Sequence, residues 1–165
     1  FNCNLWNISN LGRTIMCFYR FKTKITEPSP EYREWLNQQK SIQDIINFAN
    51  DFIYISDKKQ FGKTDYWQTP NEFFIRKQGD CEDIHLFIAD AIYRAFGLST
   101  YLLIAWRPFE AHAMAIYKDN DQIGCHLINY KRIIPMSGLK DITAVKQTGY
   151  NQIKAVFKIP EGKKV

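Results

Sequence analysis

With 165 residues, 45% of them apolar and 24% charged, the chain has the length and make-up of one soluble globular domain, which excludes a second full-sized domain, wholesale disorder and a fibrous repeat. The net charge of +5 comes from 22 basic and 17 acidic residues. The basic ones are scattered, the densest groups being Lys22/Lys24, Lys58/Lys59 and Lys163/Lys164, so they read as a solvated surface and no nucleic-acid partner is expected.

No run of about 18 apolar residues occurs, so no membrane span is expected. Phe1 to Ser9 lacks the basic start and continuous apolar run of a secretory signal. The four cysteines, Cys3, Cys17, Cys81 and Cys125, contain no C-x-x-C, which rules out a zinc ribbon and a dense disulfide framework. Aromatic residues make up 15% of the chain and point to a core of large rings.

In chain order, residues 1–30 are poorly patterned and end in the Pro28-Ser29-Pro30 breaker; they read as a lead-in or appendage to a single domain over 31–165. Helical spacing begins at Glu31 with Trp35 and Leu36. It restarts behind Ser41, a good N-cap, with Ile42, Ile45, Ile46, Ala49, Phe52 and Ile53 on one face. Ser56 to Thr64 is polar, contains Gly62 and reads as a loop. Pro70 either ends regular structure or starts a short helix over Asn71 to Ile75.

The most regular helix follows. Asp80 is its expected N-cap, Asp83 stands three residues on, and Ile84, Phe87, Ile88, Ala91, Ile92 and Ala95 form one stripe up to Gly97. Beyond Gly97 the period changes to that of strands, at Thr100–Trp106, His112–Tyr117, Cys125–Tyr130 and Ile153–Ile159. Helices first and strands later predict an α+β fold, with N-terminal helices packed on an antiparallel sheet.

Cys81 falls in the first turn of the regular helix, where unpaired N–H groups and the positive end of the helix dipole favour an anion. Helix N-termini and cationic neighbours take a thiol from about 8.5 toward roughly 3.5–7.5, and the same N–H groups can hold an oxyanion. Asp80, Glu82 and Asp83 oppose ionisation, so a specific histidine is required. The plainer account is a small buried apolar residue.

His85, one turn on, lies over the same helix surface and is not placed as a base. A Cys81–His85 metal pair lacks two further ligands. His112 opens a strand in which Ala111, Ala113 and Ala115 alternate with it, letting sheet and helix approach closely. His126 reads as a surface or structural histidine. Asn129, in the next strand among Leu127, Ile128 and Tyr130, can accept the imidazole N–H, or is simply a residue of the strand-end turn.

The segment DYWQTPNEFFIRKQGDCEDIH resembles the bacterial transglutaminase-like cysteine peptidases. Their pattern is an aromatic–Trp–x–x–Pro–x–Glu segment followed by Gly-Asp-Cys-Glu-Asp at a helix start. Tyr66, Trp67, Pro70, Glu72, Gly79, Asp80, Cys81, Glu82 and Asp83 fit it in order. The resemblance spans roughly 35–135. It implies a papain-like/transglutaminase-like core, Cys81 as nucleophile, His112 as base and a third residue at Asn129, where the family usually carries Asp.

It also implies that backbone near Trp67 or Gln68 completes an oxyanion hole. No cofactor is required by it, but some relatives bind calcium through the acids around the cysteine, which makes Asp80, Glu82 and Asp83 candidate Ca²⁺ ligands. In the simpler account Asp80 and Asp83 cap the helix and Glu82 is solvated.

The expected function is therefore cysteine-dependent acyl transfer through a thioester, chiefly proteolysis of a protein or peptide substrate in a bacterial cytoplasm or periplasm. Transglutaminase or deamidase chemistry and a non-catalytic binding module on the same fold are the alternatives.

Overall fold

The computed structural model describes residues 26–63, 65–119 and 124–165; most of the expected lead-in, with Cys3 and Cys17, lies outside them. The lead-in's last residues are tied to the helices. Asn71 Nδ2 donates to the Glu27 carbonyl at 2.6 Å and its Oδ1 accepts the Ser29 N–H at 2.8 Å, while Arg94 donates to the Thr26 carbonyl at 2.9 Å.

Capping chemistry sets the helix starts. Helix α1 (Pro30–Gln38) begins where the Ser29 hydroxyl accepts the Tyr32 N–H, with Pro30 in the first turn. Helix α2 (Ile42–Asn50) has a full capping box between Ser41 and Asp44. The stretch expected as a loop after Ser56 instead contains helix α3 (Asp57–Phe61), closed by Gly62 at φ 67°. Five polar-rich residues are too short to show a helical period, and the left-handed glycine is the feature that ends them. Helix α4 (Pro70–Arg76) starts at Pro70 behind a Thr69–Glu72 capping box. Strands β1 (Ile53–Tyr54) and β2 (Gln78–Gly79) pair in parallel.

Helix α5 (Cys81–Phe96) has Asp80 at its N-cap and Gly97 at its C-cap, as expected. One buried face was expected, but every residue from Asp83 to Ile92 is buried. The sheet lies against one side of α5 and α1, α2 and α4 against the other, so its polar residues need internal partners. Asp90 finds them in the Tyr32 hydroxyl at 3.0 Å and in Arg94 at 2.9 and 3.0 Å. Phe87, fully buried, packs against the rings of Tyr32, Trp35, Phe48, Phe73 and Phe74, the large-ring core that the composition called for.

The sheet is antiparallel, ordered β6-β5-β4-β3-β7-β8, with β3 at Ser99–Arg107, β4 at Glu110–Lys118, β5 at Cys125–Asn129, β6 at Arg132–Met136, β7 at Gln152–Ile159 and β8 at Lys163–Lys164. Strand β6 was not foreseen, because Pro135 argues against a strand. It is tolerated at the sheet edge, opposite His126. Strict alternation divides the strands between two cores. Leu102, Ala113, Ala115 and Phe157 face the helices, whereas Leu103, Met114, Ile116 and Val156 face the other side with helix α6 (Ile142–Lys146). Ala113 and Ala115 are the small residues that let α5 lie close. Among the described residues no helix is long and apolar enough to cross a membrane.

Candidate active site

Strands β4 and β5 pair only from Ala115↔Ile128 to Lys118↔Cys125. His112 and Asn129 both lie past the last pair, where the ladder opens. There His112 Nε2 meets Asn129 Oδ1 at 2.8 Å. An amide oxygen only accepts, so Nε2 carries the proton and Nδ1 is left as the basic nitrogen. Burial lowers the pKa of His112, outweighing the opposing pull of the Asn129 hydrogen bond and the Glu110 charge.

Cys81 is buried at the first position of α5, and its thiol donates to Glu82 Oε2 at 3.1 Å. Glu82 is therefore bonded to the sulfur and is not merely a solvated acid. His85 is fully buried. Its Nδ1–H donates to the Cys81 carbonyl at 2.7 Å, and its Nε2 accepts the Tyr130 N–H at 3.0 Å. Both nitrogens are thus committed in the neutral ring, and neither a metal-ligand nor a base role is open to it. Burial above all, then the neighbouring His112 charge, pushes its pKa down to about 3. Its edge faces the His112 ring at 5.5 Å, which connects the first turn of α5 to the histidine of β4.

The acids around Cys81 are joined by one that sequence reasoning missed. Asp57, at the start of α3, is buried and comes with Asp80 and Asp83 into a group whose oxygens lie within 4.8 Å of one another; Asp57, Asp65 and Glu82 form a second such group. Asp57 stands 23 residues before Asp80, in a segment that reads as a polar loop, so spacing alone could not reveal it.

Asp83 accepts both the backbone N–H and the side-chain amide of Gln68, each at 2.7 Å. Burial, then the Asp80 charge, raises its pKa well above the ordinary carboxyl value. The Gln68 N–H is therefore spent on Asp83. The Trp67 ring is anchored through Nε1 to Asp65 at 2.9 Å.

Three residues outside the expected set form a chain that ends on the His112 ring. Tyr150 stacks on its ring at 5.0 Å and 13°, Glu110 holds the Tyr150 hydroxyl at 2.6 Å, and Arg107 holds Glu110. The signal for Glu110 was its place two residues before His112 on one strand; Tyr150 left none. His126 behaves as a structural histidine, stacked on Tyr117 and bonded to Asp119 at 3.2 Å. Cys125 is buried, and burial raises its pKa.

No family model and no curated protein matches the sequence. Solved structures match the fold. Calcium-bound LapG from Legionella pneumophila is similar at 18% identity and a TM-score of 0.51, over 76% of this chain and 69% of that one. A further LapG structure from the same organism gives 18% identity and a TM-score of 0.53 over 76% and 68%. This chain has the transglutaminase-like fold. An EGTA-treated LapG structure gives 19% identity and a TM-score of 0.50 over 66% and 63%. The antiparallel sheet with N-terminal helices packed on it, expected from the sequence, is the architecture observed.

Proposed function

We propose that the chain is a transglutaminase-like cysteine peptidase, carried by residues 31–165, that acts on a protein or peptide through a thioester at Cys81. The observation that carries the reading is the His112 Nε2–Asn129 Oδ1 bond of 2.8 Å, on a ring that His85 of α5 meets at 5.5 Å. It leaves Nδ1 of His112 as the atom able to take the Cys81 proton.

Cys81 Sγ attacks the scissile carbonyl carbon, its proton passes to His112 Nδ1, and the carbonyl oxygen becomes an oxyanion held by N–H groups of the first turn of α5 and backbone near Trp67. His112 then protonates the leaving amine. Water, deprotonated by His112, cleaves the thioester and frees the acid, returning the proton to the thiol. Asn129 keeps the imidazole in one tautomer throughout.

Calcium fits the acids. Hard carboxylate oxygens from Asp57, Asp80 and Asp83, with Asp65 and Glu82 adjoining, form a buried oxygen-rich cluster, and LapG has been solved calcium-bound. A dication there would supply positive charge that offsets the carboxylates beside the Cys81 thiol.

Iodoacetamide labelling, with the modified residue located by mass spectrometry, tests the core of the reading. Cys81 should be labelled at neutral pH far faster than an ordinary thiol, and His112→Ala should slow it by roughly 10²-fold. Equal rates for the two proteins would remove the cysteine–histidine mechanism. Trapping in a host lysate with wild type and Cys81→Ala then identifies the protein held as an acyl adduct.

A further inference from the structure

Asn129 orients His112 but brings no charge to it. A cation that forms on the imidazole during thiol deprotonation needs anionic support that the amide does not give, and among the described residues a carboxylate on the same strand is placed to bring it. Glu110 lies two residues before His112 on β4, so their side chains share a side of the strand. It is a buried carboxylate, 8% exposed, with both oxygens occupied. Oε1 accepts the Tyr150 hydroxyl at 2.6 Å, and Oε2 accepts Arg107 Nε at 2.6 Å and an Arg107 terminal nitrogen at 2.5 Å. The Tyr150 ring in turn lies parallel to His112 at 5.0 Å, with Arg107 over the same tyrosine at 5.0 Å.

We propose that Glu110 is a positioning residue that supplies, through Tyr150, the anionic support for the His112 imidazolium that Asn129 cannot give. The inference rests on His112 being the base.

Two effects act in the same direction. A tyrosine face stabilises a cation lying over it, and a phenol donating to a carboxylate is polarised so that its ring is richer in electrons. The Glu110 charge itself is close to His112 and buried. Arg107 opposes it, but its side chain is 41% exposed against 10% for Glu110, so solvent screens the cation more than the anion. Among the described residues, the other groups that meet the ring by hydrogen bond or ring contact carry no charge: His85, held neutral above all by burial, Asn129, and Tyr130 at 5.4 Å.

Burial pushes the Glu110 carboxyl up, but the bonds from Tyr150 and Arg107 and the Arg107 charge outweigh it and keep the group ionised below the usual range. No proton is exchanged with Glu110 or Tyr150; the only transfer is from Cys81 Sγ to His112 Nδ1.

The test is an NMR titration of ¹⁵N-labelled histidine in the full chain carrying Cys81→Ala, where no thiol titrates, alongside Cys81 labelling rates in the otherwise unchanged protein. Glu110→Gln keeps an acceptor for Tyr150 and leaves Arg107 uncompensated. It should lower the His112 pKa by about one unit and slow labelling at neutral pH roughly tenfold. Arg107→Gln should move the pKa the opposite way, and Tyr150→Phe should give a smaller fall than Glu110→Gln.

If these variants lower only the melting temperature and leave the His112 titration in place, Glu110 is a structural residue and the proposal is overturned. Should Glu110→Gln fail to fold, Arg107→Gln and Tyr150→Phe decide on the same criterion. Labelling unaffected by His112→Ala would sink the underlying base reading instead, an outcome distinct from a His112 titration that ignores Glu110.

Discussion

His85 accepts the backbone N–H of Tyr130 at 3.0 Å while its other nitrogen donates to the Cys81 carbonyl at 2.7 Å. One neutral side chain thus fastens the start of α5 to the left-handed residue, φ 52°, that follows Asn129. The folded state holds this ring at a pKa of about 3, against an ordinary 6.5. Between those values the unfolded chain binds a proton that the folded one refuses, so stability is complete above pH 6.5 and is lost as pH falls toward 3. At pH 5 the loss amounts to about 2 kcal/mol. In His85→Gln, which can still accept from Tyr130, the acid-side slope should flatten by that amount, while His85→Phe should lose stability at every pH. Denaturant melts at pH 7 and pH 5 measure both; an unchanged slope in His85→Gln would contradict the assignment.

Asn129→Asp should raise the His112 pKa, because a carboxylate on Nε2 opposes the lowering imposed by burial. The acid limb of the Cys81 labelling profile then changes position. Asn129→Ala, which leaves the ring unoriented, should slow labelling about tenfold, less than the roughly 10²–10⁴-fold expected for loss of the base itself. Profiles that superimpose for Asn129→Asp and wild type would show that residue 129 does not govern the imidazole.

Calcium at the acids should raise the melting temperature, and EGTA should reverse the rise. Binding at 100 times the dissociation constant contributes about 2.7 kcal/mol. Asp83→Asn and Asp57→Asn should each abolish the response, since both residues supply oxygens to the buried group. Identical melts with calcium and with EGTA would remove the metal from the account.

Gly79 has no room for a side chain. A Cβ there would stand 2.6 Å from Asp83 Oδ2, 2.7 Å from Asp83 Cβ and 2.8 Å from Gln68 Nε2. Gly79→Ala should therefore wedge Asp83 away from Gln68 and cost about 1–3 kcal/mol, measured by chemical denaturation. Full stability in this variant would mean that the Asp83–Gln68 pair relaxes freely.

Local chemistry made much of the site legible. Asp80, Asp83 and Gly97 marked both ends of α5, and the alternation of alanines with His112 marked β4 and the face that packs on the helix. Asn129 stood out as a polar residue inside an apolar strand. What escaped depended on contacts between distant segments or on elements too short to have a period. Helix α3 and its Asp57 look like a polar loop, Pro135 hides an edge strand, and the partners of His85 and Glu110 lie 45 and 40 residues away. The all-round burial of α5 was hidden for the same reason: the helices covering its second side come from earlier in the chain.

The 40-residue separation between Glu110 and Tyr150 also bears on the order in which the chain acquires reactivity. His112 and Asn129, 17 residues apart, come together as soon as the β4–β5 hairpin closes. Tyr150 arrives only when β7 docks on β3 and joins Trp106 to Gln152; closing the 40 residues between Glu110 and Tyr150 rather than 17 costs about 0.8 kcal/mol more chain entropy. In refolding, the histidine is therefore expected to pair with the amide before the tyrosine roofs the ring, and Cys81 labelling should return no earlier than the β3–β7 pairing.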